Sequence, residues 1–422
     1  MYRLINTHVA KYIQDKGCKR ILIAGVTILA AVTIVRTILA LPKTSKDHDF
    51  ANYYCSSRAY LEYENPYIVP LQACYEHYQF QLSFKHLELN RVTNPPLLLL
   101  TFAPIAMLPP SHAFAVWFLI ELASLAILLY IIGQLLKDRI SRTELFIICA
   151  LSIGSAPVCN NFSVSQVQLP LAALALAGFA FLRSGNAILS CATITLTGLI
   201  KLYPSFLIPW FIWHNGKSNK ARLKLTFVCI LVAVTTFWIS GFDTWIDFFR
   251  TTSGSFRPWI ENRTGNHSLP SFIINATFAF FDFKPPPQLA TFTWLFVICS
   301  SFTIQLIVYL RLWNNRNINT GELREKEFSL LCITMLATSL ITWLSYYIFL
   351  VFPFVIAILK LKETFHTTRF LGMVLIWIGL NNFTSFMGNV MPEAFFFKVT
   401  INYVPLYSLI ALGIFMWKDI KE

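Results

Sequence analysis

The chain has 422 residues, of which 56% are hydrophobic and 13% charged, and a formal charge of +13. A soluble domain carries about 25% charged residues, so a soluble enzyme, a disordered chain and a disulfide-built secreted scaffold are excluded. The positive charge falls in short clusters between apolar blocks, which is the pattern of cytoplasmic membrane loops rather than of a nucleic-acid binder.

Residues 1–20 are basic, with Arg3, Lys11, Lys16, Lys19 and Arg20, and residues 21–41 are apolar except for Arg36. At about 1.5 Å per residue this block crosses one bilayer core of about 30 Å. It is read as an uncleaved anchor with its N-terminus in the cytoplasm. A first outer loop then runs over residues 42–112, and its polar part is rich in Tyr, Glu, His and Asn. Within it, the block 95–110 lies between Pro95-Pro96 and Pro109-Pro110 and is short for a crossing. It is predicted to be a juxtamembrane or re-entrant helix. That choice places Lys137, Arg139 and Arg142, which follow the span 113–136, in the cytoplasm.

Residues 143–158 then go out and 167–183 return. The segment 186–213 has positive charge at both ends and Lys201 in its middle, so it is predicted as a hairpin with Lys201 near the outer apex. Residues 223–242 go out, 243–287 form a second long outer loop, and crossings follow at 288–311, 328–345, 347–362, 368–385 and 403–417. The expected architecture is one all-α polytopic membrane domain over residues 1–422, with about 12 transmembrane helices and both termini cytoplasmic.

Nine cysteines include no C-x-x-C pair, and eight histidines show no H-E-x-x-H spacing, so neither a metal nor another cofactor is expected. Cys55 and Cys74 share the first outer loop, and whether they pair is open. Four N-x-S/T matches, at Asn161, Asn262, Asn266 and Asn275, fall on outer segments.

The two outer loops concentrate the polar residues. From Phe50, the residues Phe50, Tyr53, Tyr54 and Leu61 form a helical stripe suited to lying in the headgroup region, with Asp49 at the N-cap position. Asp49 reads either as a helix cap worth about 1 kcal/mol or as a general base at the membrane boundary, with Asp47 as its neighbour and competitor. Lys201 reads either as a snorkelling side chain or as a phosphate ligand. Arg250, Arg257 and Arg263 on the second outer loop run against the positive-inside bias, which suggests an anionic ligand.

These segments resemble glycosyltransferase family 87, polyprenyl-phosphate-mannose-dependent membrane enzymes with a GT-C fold. The family's D-F-x-x-Y-Y, A-R-A-like helix and N-P-Y correspond to Asp49-Phe50-Ala51-Asn52-Tyr53-Tyr54, Arg58-Ala59 and Asn65-Pro66-Tyr67. Its Y-P-P-L corresponds to Asn94-Pro95-Pro96-Leu97, and its A-P-L-A-L-L-P to Ala103-Pro104-Ile105-Ala106-Met107-Leu108-Pro109, ahead of Trp117. Its G-Q-V-N corresponds to Ser165-Gln166-Val167-Gln168, its K-x-Y-P to Lys201-Leu202-Tyr203-Pro204, and its G-N-x-S-L to Gly265-Asn266-His267-Ser268-Leu269. Two departures stand out: Asn94 replaces a tyrosine, and Trp343 is followed by Leu344, Ser345, Tyr346 and Tyr347 where the family often has a His pair.

The resemblance implies a hexosyltransferase that moves a mannose-like sugar from a polyprenyl-phosphate donor to a glycolipid or glycan acceptor, without a metal. Asp49 would be the general base. Lys201, Arg257 and Arg263 would hold the donor phosphate, and Arg58, Gln166, Asn266 and Tyr346 would contact substrate. It also implies a bacterial inner membrane, with the site facing the periplasm or exterior. A flippase of lipid-linked saccharide and an inactive relative acting as a scaffold remain as alternatives.

Overall fold

The computed structural model describes residues 16–44, 48–63, 65–80, 92–255, 260–261, 265–281, 285–314, 320–363, 367–381 and 402–420. Among the described residues there are eighteen α-helices, two 3-10 helices and no strand. In chain order the α-helices are α1 (Lys16–Thr44), α2 (His48–Tyr63), α3 (Gln72–His77), α4 (Pro96–Ala106), α5 (Pro110–Leu135), α6 (Arg142–Ile153), α7 (Ala156–Val164), α8 (Gln168–Arg183) and α9 (Ala187–Ile200). They continue with α10 (Ile208–Asn215), α11 (Asn219–Ser240), α12 (Phe242–Ser255), α13 (Leu269–Ala279), α14 (Pro287–Asn314), α15 (Gly321–Thr338), α16 (Val351–Glu363), α17 (Thr367–Leu380) and α18 (Val404–Asp419). The 3-10 helices are Tyr203–Leu207 and Leu344–Leu350.

Among the described residues, four helical stretches are long and apolar enough to cross a membrane: Pro110–Leu135, Asn219–Ser240, Pro287–Trp313 and Leu344–Leu361. The bent pair α6 and α7 makes a fifth if it counts as one span. The outward faces of these helices are apolar. In α11, Leu223, Phe227 and Trp238 are 72%, 62% and 74% exposed, and the same holds for Phe292 and Phe302 in α14. Water would penalise such surfaces by about 25 cal/mol for each Å². A lipid environment does not, so the fold is that of a multi-pass membrane protein.

The chain divides into two compact units. One comprises Arg36–Leu136 and Asn160–Arg257, and the other Met1–Val35, Lys137–Cys159 and Pro258–Glu422.

In the first unit, α2 packs on α4 and α8 packs on α5 and α9. Proline starts both α4 and α5, at positions where a helix needs no N–H partner. At about 1.5 Å per residue the eleven residues of α4 reach about 16 Å, half a bilayer core. The segment 187–215 doubles back on itself. Asn215 at the end of α10 donates through Nδ2 to Ser190 Oγ near the start of α9, at 3.1 Å. The two arms meet at an extended Lys201, with φ −142° and ψ 135°, which is the apex that the charge pattern predicted. Close packing fixes the arms: Ser190 Oγ donates to the Gly178 carbonyl of α8 at 2.9 Å, and a Cβ on Gly178 would sit 3.5 Å from the Ser190 carbonyl.

In the second unit, the first part of α1 packs Val26 and Ala30 against Ala150 of α6. The outgoing segment expected at 143–158 is not one helix but α6 and α7, bent by 46° across Gly154-Ser155. Ser141 caps α6 through a reciprocal box with Glu144. The crossing expected at 328–345 is not one helix: α15 begins at Gly321, seven residues earlier, and ends at Thr338, seven residues short of 345. It accommodates Glu325 because Arg139 Nη1 meets that carboxylate at 2.7 Å, which offsets its burial.

Candidate active site

The site builds up from α2. Its stripe of Phe50, Tyr53 and Tyr54 is buried inside the protein and does not lie in the headgroups. The Phe50 ring packs edge-on against Phe114 at 5.2 Å and against Phe102 at 6.1 Å, and the Tyr54 hydroxyl donates to the Leu108 carbonyl at 2.9 Å. Aromatic area fixes the helix because four rings interlock here at the distances such pairs favour. A disulfide joins Cys55 to Cys74 and ties α3 to α2.

Asp49 lies within the first turn of α2 rather than at its N-cap, since the helix begins at His48. Its carboxylate is met from another part of the sequence: Gln166 donates through Nε2 to Asp49 Oδ2. Gln168 Nε2 in turn donates to Gln166 Oε1 at 3.1 Å, and the Tyr203 hydroxyl donates to Gln168 Oε1. This chain of polar groups runs from α2, through the turn 165–168, to the hairpin segment two residues beyond Lys201. Gln166 and Gln168 are buried, while Asp49, Lys201 and Tyr203 are partly exposed. A buried amide that donates to a carboxylate favours its charged form, which is the form a base needs.

A second polar chain holds the same helix one turn further along. Asn94 Nδ2 donates to Asn52 Oδ1 at 2.9 Å, one turn from Asp49, and Tyr67 donates through its hydroxyl to the Asn94 carbonyl at 2.5 Å. Burial pushes the Tyr67 phenol well above its ordinary pKa, so it stays a donor. Asn94 thus works as an amide link between Asn52 and Tyr67. Asn65 Nδ2 donates to Asp247 Oδ2 at 2.7 Å, joining the N-P-Y turn to α12. The segment 243–287 is therefore not simply a loop, because it contains α12 and α13.

The other predicted residues are placed as follows. Arg58 lies nine residues after Asp49, about half a turn out of phase on the same helix, and pairs with Glu62 at 2.6 Å. Asn266 belongs to the second unit. It is fully buried and committed to backbone: its Nδ2 donates to the Leu340 carbonyl at 2.9 Å, and its Oδ1 accepts from Thr342 N at 2.9 Å. Tyr346 is buried in the 3-10 helix Leu344–Leu350 of that unit. Arg257, Arg263, Asp47 and Asn262 lie outside the described residues. Asn161, Asn266 and Asn275, three of the N-x-S/T matches, are buried to 2% exposure or less.

Sequence reasoning missed Tyr203 and Gln168 as site residues, although both stand in quoted motifs. It also missed Asn52, Asn94, Trp117, Glu121 and Asn161. Asn52, Asn94 and Trp117 stand in or beside the quoted motifs, and Glu121 carried the signal of a carboxylate inside an apolar block.

A sequence model of glycosyltransferase family 87 matches residues 93–342 of the chain. The chain belongs to glycosyltransferase family 87. The matched range holds Gln166, Gln168, Lys201, Tyr203 and Asn266 and begins after Asp49. A comparison with curated proteins finds no match. As a member of family 87 the protein is a membrane glycosyltransferase, with a sugar donor and an acceptor as its substrates.

Proposed function

We propose that this glycosyltransferase moves a mannose-like hexose from a polyprenyl-phosphate donor to a glycolipid or glycan acceptor, with inversion and with Asp49 as general base. The observation that carries this reading is the chain from Asp49 through Gln166 and Gln168 to Tyr203, which converges three distant motifs on one carboxylate. In the reaction, the acceptor oxygen attacks the anomeric carbon while Asp49 takes its proton. The bond from that carbon to the phosphate oxygen breaks, and its electron pair leaves with the lipid phosphate. Lys201, at the apex of the hairpin, stabilises the charge that grows on that phosphate. Arg257 and Arg263 assist it, and Arg58 and Gln166 contact substrate.

The topology proposed with it has about 12 crossings, both termini in the cytoplasm and a single functional domain over residues 1–422. The site then faces the periplasm or exterior of a bacterial inner membrane. The Cys55–Cys74 disulfide supports this side, because disulfides persist in oxidising compartments.

The test is mass spectrometry of glycolipids and surface glycans from wild type, a gene deletion, and the deletion complemented with Asp49→Asn. Loss of a general base costs about 10²–10⁴ in rate. A glycan short by one hexose in the deletion should therefore stay short with Asp49→Asn at normal protein level. Full restoration by Asp49→Asn would overturn the assignment of the base.

A further inference from the structure

Glu121 sits in the middle of α5, inside the apolar span Pro110–Leu135, with no exposed surface. A carboxyl group there is expensive and tends to be kept for a purpose. Its Oε1 accepts a hydrogen bond from Asn161 Nδ2 at 2.6 Å, while Glu121 Oε2 and Asn161 Oδ1 have no hydrogen-bond partner among the described residues. Trp117 lies one helical turn earlier on the same face of α5. Its Nε1–H donates to the Ser165 carbonyl at 3.2 Å.

These two side chains therefore grip one short segment at both ends, Asn161 and Ser165. The segment needs gripping. Ser165 has a left-handed backbone, with φ 54°, which disfavours most residues other than glycine, and its buried hydroxyl has no hydrogen-bond partner among the described residues to hold it there. Gln166 N closes the turn onto the Asn161 carbonyl at 3.1 Å, and the Gln166 side chain then reaches Asp49.

We infer that Glu121 is a positioning residue: from inside the membrane it holds Asn161, and through the 161–166 turn it sets Gln166 against the Asp49 carboxylate. This inference rests on the reading of Asp49 as the base. Apolar packing between α5 and the turn would tolerate sliding or rotation, whereas a hydrogen bond to a fully buried carboxyl fixes one register. Glu121 touches no substrate and acts through Gln166.

The experiment uses the full-length protein in detergent, with mannosyl-phosphoryl-polyprenol as donor probe and membranes of a deletion strain as acceptor. The acid limb of kcat against pH reports the base. Loss of the Gln166 bond destabilises the Asp49 carboxylate, so Gln166→Leu should move that limb up by about one pH unit. Glu121→Ala should move it in the same direction, and the double variant no further. Glu121→Gln, which keeps an acceptor oxygen of the same shape, should leave it in place. If Gln166→Leu moves the limb and Glu121→Ala does not, Glu121 is a packing residue and the inference is overturned while Asp49 stands. If Gln166→Leu leaves the limb in place, the reading of Asp49 itself falls, and the inference falls with it.

A second measurement needs no turnover. In a background without the free cysteines, the pair Asp49→Cys and Gln166→Cys is joined by a short bifunctional thiol reagent. Glu121→Ala should lower the cross-linked yield of the monodisperse protein at least about five-fold, and Glu121→Gln should not. Equal yields in all three backgrounds would overturn the inference.

Discussion

Replacing both Cys55 and Cys74 with alanine removes the bridge that ties α3 to the helix bearing Asp49. The two residues are 19 apart in sequence. Closing a loop of that size removes about 11 cal/mol/K of entropy from the unfolded chain, or about 3 kcal/mol at 25 °C. Spread over a cooperative unit of the size formed by Arg36–Leu136 and Asn160–Arg257, this lowers the midpoint of unfolding by roughly 6–12 °C. The assay is size-exclusion chromatography of detergent-solubilised protein after stepwise heating, for the parent and the double variant. Alkylation before and after reduction, read by mass spectrometry, counts the two thiols. A midpoint within about 2 °C of the parent would refute the reasoning, as would alkylation of both thiols without reduction. Truncating Cys55 also removes a fully buried sulfur, so Cys74→Ala alone, which breaks the bridge and keeps that sulfur, separates the loss of the bridge from the loss of packing.

Ser165→Gly should leave stability within about 0.5 kcal/mol, because relief of the left-handed strain offsets the greater freedom of an unfolded glycine, whereas Ser165→Val should cost about 2 kcal/mol; the same heating series checks both. His267, on the buried turn before α13, has its imidazole pushed down to about 4 by burial, against which its hydrogen bond to the Asn402 backbone works only partly. A group with a depressed folded pKa contributes its full stability above its unfolded pKa of about 6.5, and about 3 kcal/mol is lost as pH falls from 6.5 to 4. Unfolding midpoints measured across that window should fall steeply in the parent and nearly flatten in His267→Gln. Asp247→Ala should destabilise by about 1–3 kcal/mol, since it removes the charged acceptor of Asn65. Arg250→Ala, on a side chain 76% exposed, should change stability by under about 0.5 kcal/mol.

Much of the fold was readable from the spacing of apolar blocks and basic clusters. The hairpin at 187–215 is an example: positive charge at both ends forces a return, and the lone Lys201 marks where the chain turns. The short proline-bounded α4 was readable for the same reason of length. The break at Gly154-Ser155 was not, because both halves are apolar and hydropathy does not register a bend. The helical start of α15 at Gly321 was missed because Glu322, Arg324, Glu325, Lys326 and Glu327 read as a loop until Arg139, far away in sequence, is seen to pair with Glu325.

At the site, Asp49 and Gln166 were each visible as polar residues in apolar or aromatic surroundings, and Arg58 and Asn266 were equally visible. The sequence by itself determined that the chain is an all-helical membrane protein and which residue types it sets aside for chemistry, since composition and periodicity follow directly from the solvent each segment meets. Only the tertiary structure decided that Gln166 turns to Asp49 while Asn266 turns to backbone, and that Glu121 sits behind the turn bearing Gln166. Hydrogen bonds are directional and short, so which polar groups pair across more than a hundred residues depends on helix packing that no local pattern encodes.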